Sequence, residues 1–238
     1  MIEDQSGIPM KPRTIAIGDI HGCSTALNRL IEAIQPREQD TLVILGDVID
    51  WGPDSRGVIE TLLRLSEECR LIPLMGNHEE MLLAARESRL ELHYWMQLGG
   101  DETLRSYGSL DGLDAIPSAH LRFIKSAPQW HESEEFIFVH ANYDSRLPME
   151  RQSGTRLRWE HLDPSKAKPH VSGKKAIVGH TPQMNGNVLD LGFLVCLDTG
   201  CCEGGWLTAL DVTTGHIWQS NQQGELRERD RVFRESHA

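Results

Sequence analysis

The stretch Thr14-Ile15-Ala16-Ile17-Gly18-Asp19-Ile20-His21-Gly22 decides the fold. A largely β-branched apolar run ends in two side chains able to ligate metal, and a glycine follows. Four further segments repeat the design. Val43-Ile44-Leu45 leads into Gly46-Asp47, with Asp50 beyond; Leu71-Ile72-Pro73-Leu74 leads into Gly76-Asn77-His78-Glu79. Phe136-Ile137-Phe138-Val139 leads into His140, and Ala176-Ile177-Val178 into Gly179-His180-Thr181. Five apolar runs, each closed by a polar ligand, predict five strands whose ends meet at one metal-binding place. Ligands of α/β folds bind beyond the carboxyl ends of strands, which is where these side chains fall.

Between the runs the period changes. Leu27, Leu30, Ile31 and Ile34 stand at helical spacing within Cys23 to Gln35, with Ser24 or Thr25 as cap and Pro36 as stop. Gly52-Pro53-Asp54-Ser55 forms a turn and cap, and Val58, Leu62, Leu63 and Leu65 mark a second helix. His78 to Ser88 reads as a third. Strand alternating with helix predicts a parallel sheet with helices outside. From about Trp130 onward, Phe136–Val139, Lys175–Val178, Leu194–Leu197 and Trp206–Leu210 read as strands with few helices between them. They predict a second, largely antiparallel sheet packed on the first. Glu91 to Tyr107 reads as helical, interrupted at Gly99-Gly100, and forms either a peripheral subdomain or a cap over the substrate groove. The expected organisation is a single catalytic domain over residues 13–220, a leader over 1–12 and a charged tail over 221–238.

Composition narrows the function. With 25% charged and 39% hydrophobic residues the chain is globular and not disordered. No apolar stretch approaches the ~20 residues that cross a bilayer. Met1-Ile2-Glu3-Asp4-Gln5 lacks the basic and apolar regions of a signal peptide, so a reducing, cytoplasmic setting and no membrane partner are expected. Five cysteines at irregular spacing are neither a disulfide framework nor a structural zinc site, and Cys201-Cys202 read as small packing residues. The net charge of −11 argues against nucleic acid as a partner, and Lys166, Lys168, Lys174 and Lys175 read as a solvated loop. An anionic substrate then needs local positive charge, which bound cations can supply.

The candidate metal ligands are Asp19, His21, Asp47, Asn77, His140 and His180. Mixed carboxylate and imidazole donors suit Mn, Fe or Zn; Mg fits less well because it prefers oxygen and water. Two ions about 3.5–4 Å apart can share one carboxylate and clamp a phosphoryl group. Asp47, between the halves of the set, is the expected shared ligand. His93, His120, His131, His161, His170, His216 and His237 read as packed or surface residues.

Gly18-Asp19-Ile20-His21-Gly22, Gly46-Asp47-Val48-Ile49-Asp50, Gly76-Asn77-His78-Glu79, Val139-His140-Ala141 and Gly179-His180-Thr181-Pro182 resemble the signature motifs of the phosphoprotein phosphatase family of metallophosphoesterases. Cys23 after the first motif resembles the bacterial serine/threonine phosphatase branch. Asp198-Thr199-Gly200-Cys201 and Gly205-Trp206-Leu207-Thr208-Ala209-Leu210 extend the similarity over nearly the whole chain. The resemblance implies an α/β fold, a sandwich of two mixed β-sheets flanked by helices. It also implies that Asp19, His21 and Asp47 hold one divalent metal and that Asp47, Asn77, His140 and His180 hold the other. The implied activity is hydrolysis of a phosphorylated protein or small phosphoester by a hydroxide activated by the two metals. His78 is then the general acid and Asp50 aligns it.

Two positions depart from that family. It usually reads Asp-Arg-Gly-Pro after its second motif, and here Trp51 follows Asp50. It usually carries Arg before Gly-Asn-His-Glu, and here Met75 stands there. Neither side chain replaces a guanidinium that grips phosphate oxygens. Either Arg56, Arg156 or Arg158 substitutes, or Trp51 stacks on an aromatic leaving group, or the site is a phosphate-binding module with weak turnover. The alternative activity implied by the same motifs is that of the symmetrical dinucleoside tetraphosphatases.

Overall fold

The computed structural model describes residues 11–110 and 112–229. Eleven strands form two sheets among these residues. The first sheet contains β1 (Thr14–Ile17), β2 (Thr41–Ile44), β3 (Arg70–Pro73), β9 (Leu207–Asp211), β10 (Ile217–Ser220) and β11 (Leu226–Arg229), in the order β11-β10-β9-β1-β2-β3. Its first three strands are parallel, and β9, β10 and β11 add antiparallel neighbours. The second sheet contains β4 (Trp130–Glu132), β5 (Phe136–Val139), β6 (Lys175–Val178), β7 (Leu189–Asp190) and β8 (Leu194–Cys196), in the order β4-β5-β6-β8-β7.

Strands buried on both faces read as continuous apolar runs, and the structure shows how alternate residues divide. Ile15, Ile17, Leu42 and Ile44 face the helices, whereas Ala16, Val43, Phe138, Ile177, Val195 and Leu210 form the layer between the sheets. Ile137, Val139, Ala176 and Val178 pack on the outer face of the second sheet. The architecture is therefore the expected sandwich of two mixed sheets flanked by helices. Two details differ from expectation. The run at Trp206–Leu210 becomes β9 and pairs with β1, so it belongs to the first sheet. The centre of the second sheet, β5-β6-β8, is parallel, with antiparallel strands only at its edges. Side-chain alternation reports burial and does not encode the partner strand.

The helices α1 (Ser24–Ile34), α2 (Ser55–Glu68) and α3 (Asn77–Ala85) follow β1, β2 and β3. Asp54 caps α2 by accepting the Gly57 N–H at 2.9 Å, whereas α1 begins without a side-chain cap. An insert after α3 consists of α4 (Arg89–Trp95), a π-helical turn at Met96–Gly100 and α5 (Asp101–Ser106). The backbone leaves helical geometry at Leu98 and Gly99, the break expected at Gly99-Gly100. Two further helices, α6 (Ser118–Lys125) and α7 (Gly154–Trp159), complete the chain. The expected tail differs too: its Leu226–Arg229 portion is a strand of the first sheet, while 1–10 of the leader and 230–238 of the tail lie outside the described residues. Among the described residues no helix is long and apolar enough to cross a membrane.

Candidate active site

The carboxyl ends of β1, β2, β5 and β6 and the start of α3 bring Asp19, His21, Asp47, Asn77, His78, His140 and His180 together. A cleft of about 460 Å³ opens on all of them except His140, which is buried behind it. The chain is strained to do this. Among the described residues six non-glycine residues have positive φ, and five of them, His21, Asp47, Asp50, Trp51 and His180, belong to this site. Glycine is required beside the ligands: a Cβ on Gly76 would lie 2.1 Å from Asp47 Oδ1, and one on Gly179 would lie 2.1 Å from Asp19 Oδ1.

Two donor groups share Asp47. One comprises Asp47, His140 and His180, the other His21, Asp47 and His78. His140 Nδ1 donates to the Leu45 carbonyl at 2.8 Å, which turns Nε2 inward. That Nε2 lies 3.0 Å from Asn77 Oδ1, 3.2 Å from His180 Nδ1 and 3.4 Å from Asp47 Oδ2. His180 Nε2 donates to the Trp159 carbonyl at 3.2 Å, leaving its Nδ1 as a lone pair that faces the same point. His21 follows the same rule: Nδ1 donates to the Ile49 carbonyl at 2.9 Å and Nε2 stands 3.5 Å from Asp47 Oδ2. Each imidazole is thus fixed through its outer nitrogen, as in metal sites generally. Asp19 is buried and receives the His180 backbone N–H on both oxygens, at 3.1 and 3.0 Å.

Electrostatics tests whether this donor set fits cations. Burial works against a charged His140, but Asp47 outweighs it and raises the imidazole pKa to about 10. The cluster therefore draws a positive charge to the point where the donors converge. His180 is pushed down to about 3 by burial and His140, and His21 to about 4 by burial, Asp47 only partly offsetting this. Both stay neutral and keep lone pairs to offer. Burial and the Asp198 charge raise the Asp19 carboxyl well above the ordinary range, a repulsion that cations would relieve. Oxygen and imidazole donors around one shared carboxylate fit a pair of divalent cations.

His78 lies beside this centre, with Nδ1 2.8 Å from Asp50 Oδ2. Burial opposes its charged form, yet Asp47 and Asp50 prevail and its pKa is raised. Glu79 supports the floor: its carboxylate accepts the backbone N–H groups of Asp47, Val48 and Gly76 at 2.8, 2.9 and 3.0 Å.

The proposed phosphate-holding side chains fare differently. Trp51 lines the cleft, is 48% exposed, and meets the His78 ring edge-on at 6.2 Å. Arg56, Arg156 and Arg158 do not line it. Arg56 pairs with Glu60, Arg156 with Glu160, and Arg158 with Glu80. Among the described residues the lining holds no Lys or Arg, but it includes Asp19, Asp47, Asp198 and Glu203. The expected arginine substitution is thus not what the fold provides. Sequence reading also passes over two lining residues. Asp198, buried and raised to about 6 chiefly by its burial, ends the β8 run and carries the same signal as the other strand-end ligands. His161, expected to be a packed or surface residue, stacks on His180 with ring centroids 4.6 Å apart; no apolar run precedes it to mark it.

Comparison with known proteins agrees with this geometry. The family model for calcineurin-like phosphoesterases matches residues 12–217. The chain is 31% identical to serine/threonine-protein phosphatase 1 of Salmonella typhimurium, over 81% of this chain and 88% of that protein. It is 34% identical to the symmetrical bis(5'-nucleosyl)-tetraphosphatase of Methylobacillus flagellatus, over 54% of this chain but only 42% of that protein's length. A solved serine/threonine phosphatase of Saccharomyces cerevisiae shares the fold, with TM-score 0.61, 16% identity, and coverage of 98% of this chain and 84% of that one.

Proposed function

Since this chain belongs to the calcineurin-like phosphoesterases and is a metallophosphoesterase, we propose that it is a phosphomonoesterase of the serine/threonine protein phosphatase type. The observation that carries this is the His78–Asp50 pair beside His21, His140 and His180, which gather around Asp47. Asp19, His21 and Asp47 would hold one divalent ion, and Asp47, Asn77, His140 and His180 the other, with Mn, Fe or Zn suiting the donors. When bound, the ions supply positive charge for phosphoryl oxygens and make water acidic enough to attack phosphorus. The chain's own part is to deliver a proton: His78, kept charged by Asp47 and Asp50, gives it to the leaving oxygen. A reducing, cytoplasmic setting accords with five cysteines that are all free.

A second reading, hydrolysis of dinucleoside polyphosphates, is favoured by one feature. Among the described residues the cleft offers no Lys or Arg for a dianionic phosphate, while half-exposed Trp51 offers a face on which a nucleobase can stack. The Mn²⁺-loaded protein decides between the readings with phosphoserine peptide, phenyl phosphate and diadenosine tetraphosphate, each with a chelator control. The first reading expects turnover of the two monoesters and loss of about 10²–10⁴ in kcat on phenyl phosphate in His78→Asn. Turnover confined to the dinucleotide, with a raised KM in Trp51→Ala, would establish the second instead.

A further inference from the structure

The Asp50 carboxylate is not held by its own segment. It has φ 71 and is followed by Trp51 with φ 64, a backbone that non-glycine residues rarely adopt. Yet its carboxylate is completely buried and each oxygen is engaged. Oδ2 accepts His78 Nδ1 at 2.8 Å and also Trp95 Nε1 at 2.8 Å; Oδ1 accepts the Thr103 hydroxyl at 2.6 Å. The Asp50 N–H in turn donates to Thr103 Oγ1 at 2.9 Å and Ser55 Oγ at 3.1 Å. Trp95 ends α4 and Thr103 lies in α5, so both donors come from the helical insert, 45 and 53 residues along the chain.

We propose that Trp95 and Thr103 are positioning residues that fix the Asp50 carboxylate and, through it, the ring of the acid His78. The inference rests on the reading of His78 as general acid. The insert is shaped for this contact. A Cβ on Gly100 would fall 2.3 Å from the Trp95 ring, and one on Gly99 would fall 2.7 Å from the Trp51 nitrogen and 3.2 Å from Asp50 Cβ. Gly99, at φ 94 in the kink between α4 and α5, lets the insert close on the Asp50-Trp51 segment. Packing alone does not explain the arrangement. Trp95 is wholly buried, and an aliphatic side chain would fill that space without presenting an N–H to a carboxylate. With both donors in place the carboxylate plane is defined by three hydrogen bonds; with His78 alone it is free to rotate about one.

The test uses Mn²⁺-loaded enzyme and two esters that differ in their need for an acid. In Thr103→Val and Trp95→Phe, kcat on phenyl phosphate should fall about 10–100-fold, as is usual when the partner of a site residue is lost. On 4-nitrophenyl phosphate, whose leaving group needs little protonation, the loss should stay under about threefold. Thr103→Ser, which keeps the hydroxyl, should restore the rate. Combined with His78→Asn, neither variant should lower kcat further, because the residue through which they act is gone. Equal losses on both esters, or losses that add to that of His78→Asn, would mean a merely structural role and overturn the proposal. A readout independent of turnover is the NMR signal of the His78 Nδ1 proton in Zn²⁺-loaded protein. It should broaden or shift in Thr103→Val and return in Thr103→Ser. An unchanged signal in Thr103→Val and Trp95→Phe overturns the positioning role, whereas a wild-type protein inert on every ester refutes the hydrolase reading alone.

Discussion

Removing divalent cations should destabilise this protein strongly, and Asp47 should be the residue on which the effect depends. Each occupied site adds RT ln(1 + [ion]/Kd), about 4 kcal/mol at a free concentration a thousandfold above Kd. Two groups sharing Asp47 do not add independently, because both ions crowd one carboxylate and repel each other. Counting one site fully, about 4 kcal/mol, the loss in a domain of this size lowers Tm by about 8–16 °C. Scanning calorimetry with excess Mn²⁺ and then with chelator measures it. Asp47→Asn should lose nearly all of the metal-dependent shift, whereas His21→Gln, which touches only one of the two groups, should keep about half. A wild-type Tm that moves by less than about 2 °C on chelation, or an equal shift in Asp47→Asn and wild type, would refute the shared-carboxylate arrangement.

Away from the cleft, Asp40 makes an acid-sensitive clamp. Its carboxylate is wholly buried; burial alone would raise its pKa, but Arg13 and Arg37 reverse that and hold it at about 2. A depressed folded-state pKa gives stability that is complete above pH ~4 and is lost as pH falls towards about 2, in total about 2 kcal/mol. Urea titrations from pH 5 to pH 2 should show that loss in wild type, and Asp40→Asn should be weaker at neutral pH and lose about 2 kcal/mol less than wild type across this window. Arg56→Ala and Arg156→Ala should each leave KM for a phosphomonoester within twofold, since their guanidinium groups pair with Glu60 and Glu160 outside the cleft. A tenfold rise in either would show that the side chain reaches the phosphate.

The candidate ligand set was legible because one physical rule marks most of its members. A strand buried on both faces must be apolar, and the first polar residue past its end lies at the sheet edge where sites form. Asp19, Asp47, Asn77, His140 and His180 all follow that rule, and Asp198, after Leu194–Leu197, follows it as well without having been given a role. His161 does not, because a loop carries it to His180. The placement of Leu207–Asp211 beside β1 was illegible for another reason: an apolar run states that it is buried but not which strand it pairs with. Trp95 and Thr103 were hidden because each reads locally as an ordinary helical residue. Only the closure of the insert over Asp50 brings their donors within 3 Å of its carboxylate.

The charge of the cleft joins binding to catalysis. Asp19, Asp47, Asp198 and Glu203 contribute up to four negative charges; His78 offsets one of them, and no Lys or Arg among the described residues lines the space. A phosphate dianion approaching that wall is disfavoured until cations arrive, and two divalent ions carry four positive charges, enough to reverse the sign of the cleft. In a site with a guanidinium clamp, phosphate affinity survives metal loss in part, because the fork still binds two oxygens. Here no guanidinium among the described residues lines the cleft to take over, so substrate affinity and turnover should fall together as the ions are removed. Orthophosphate inhibition measured across a Mn²⁺ titration tests that coupling. Binding that persists in chelator would show that His78, the charged side chain already in the cleft, holds phosphate without the ions and would refute the coupling.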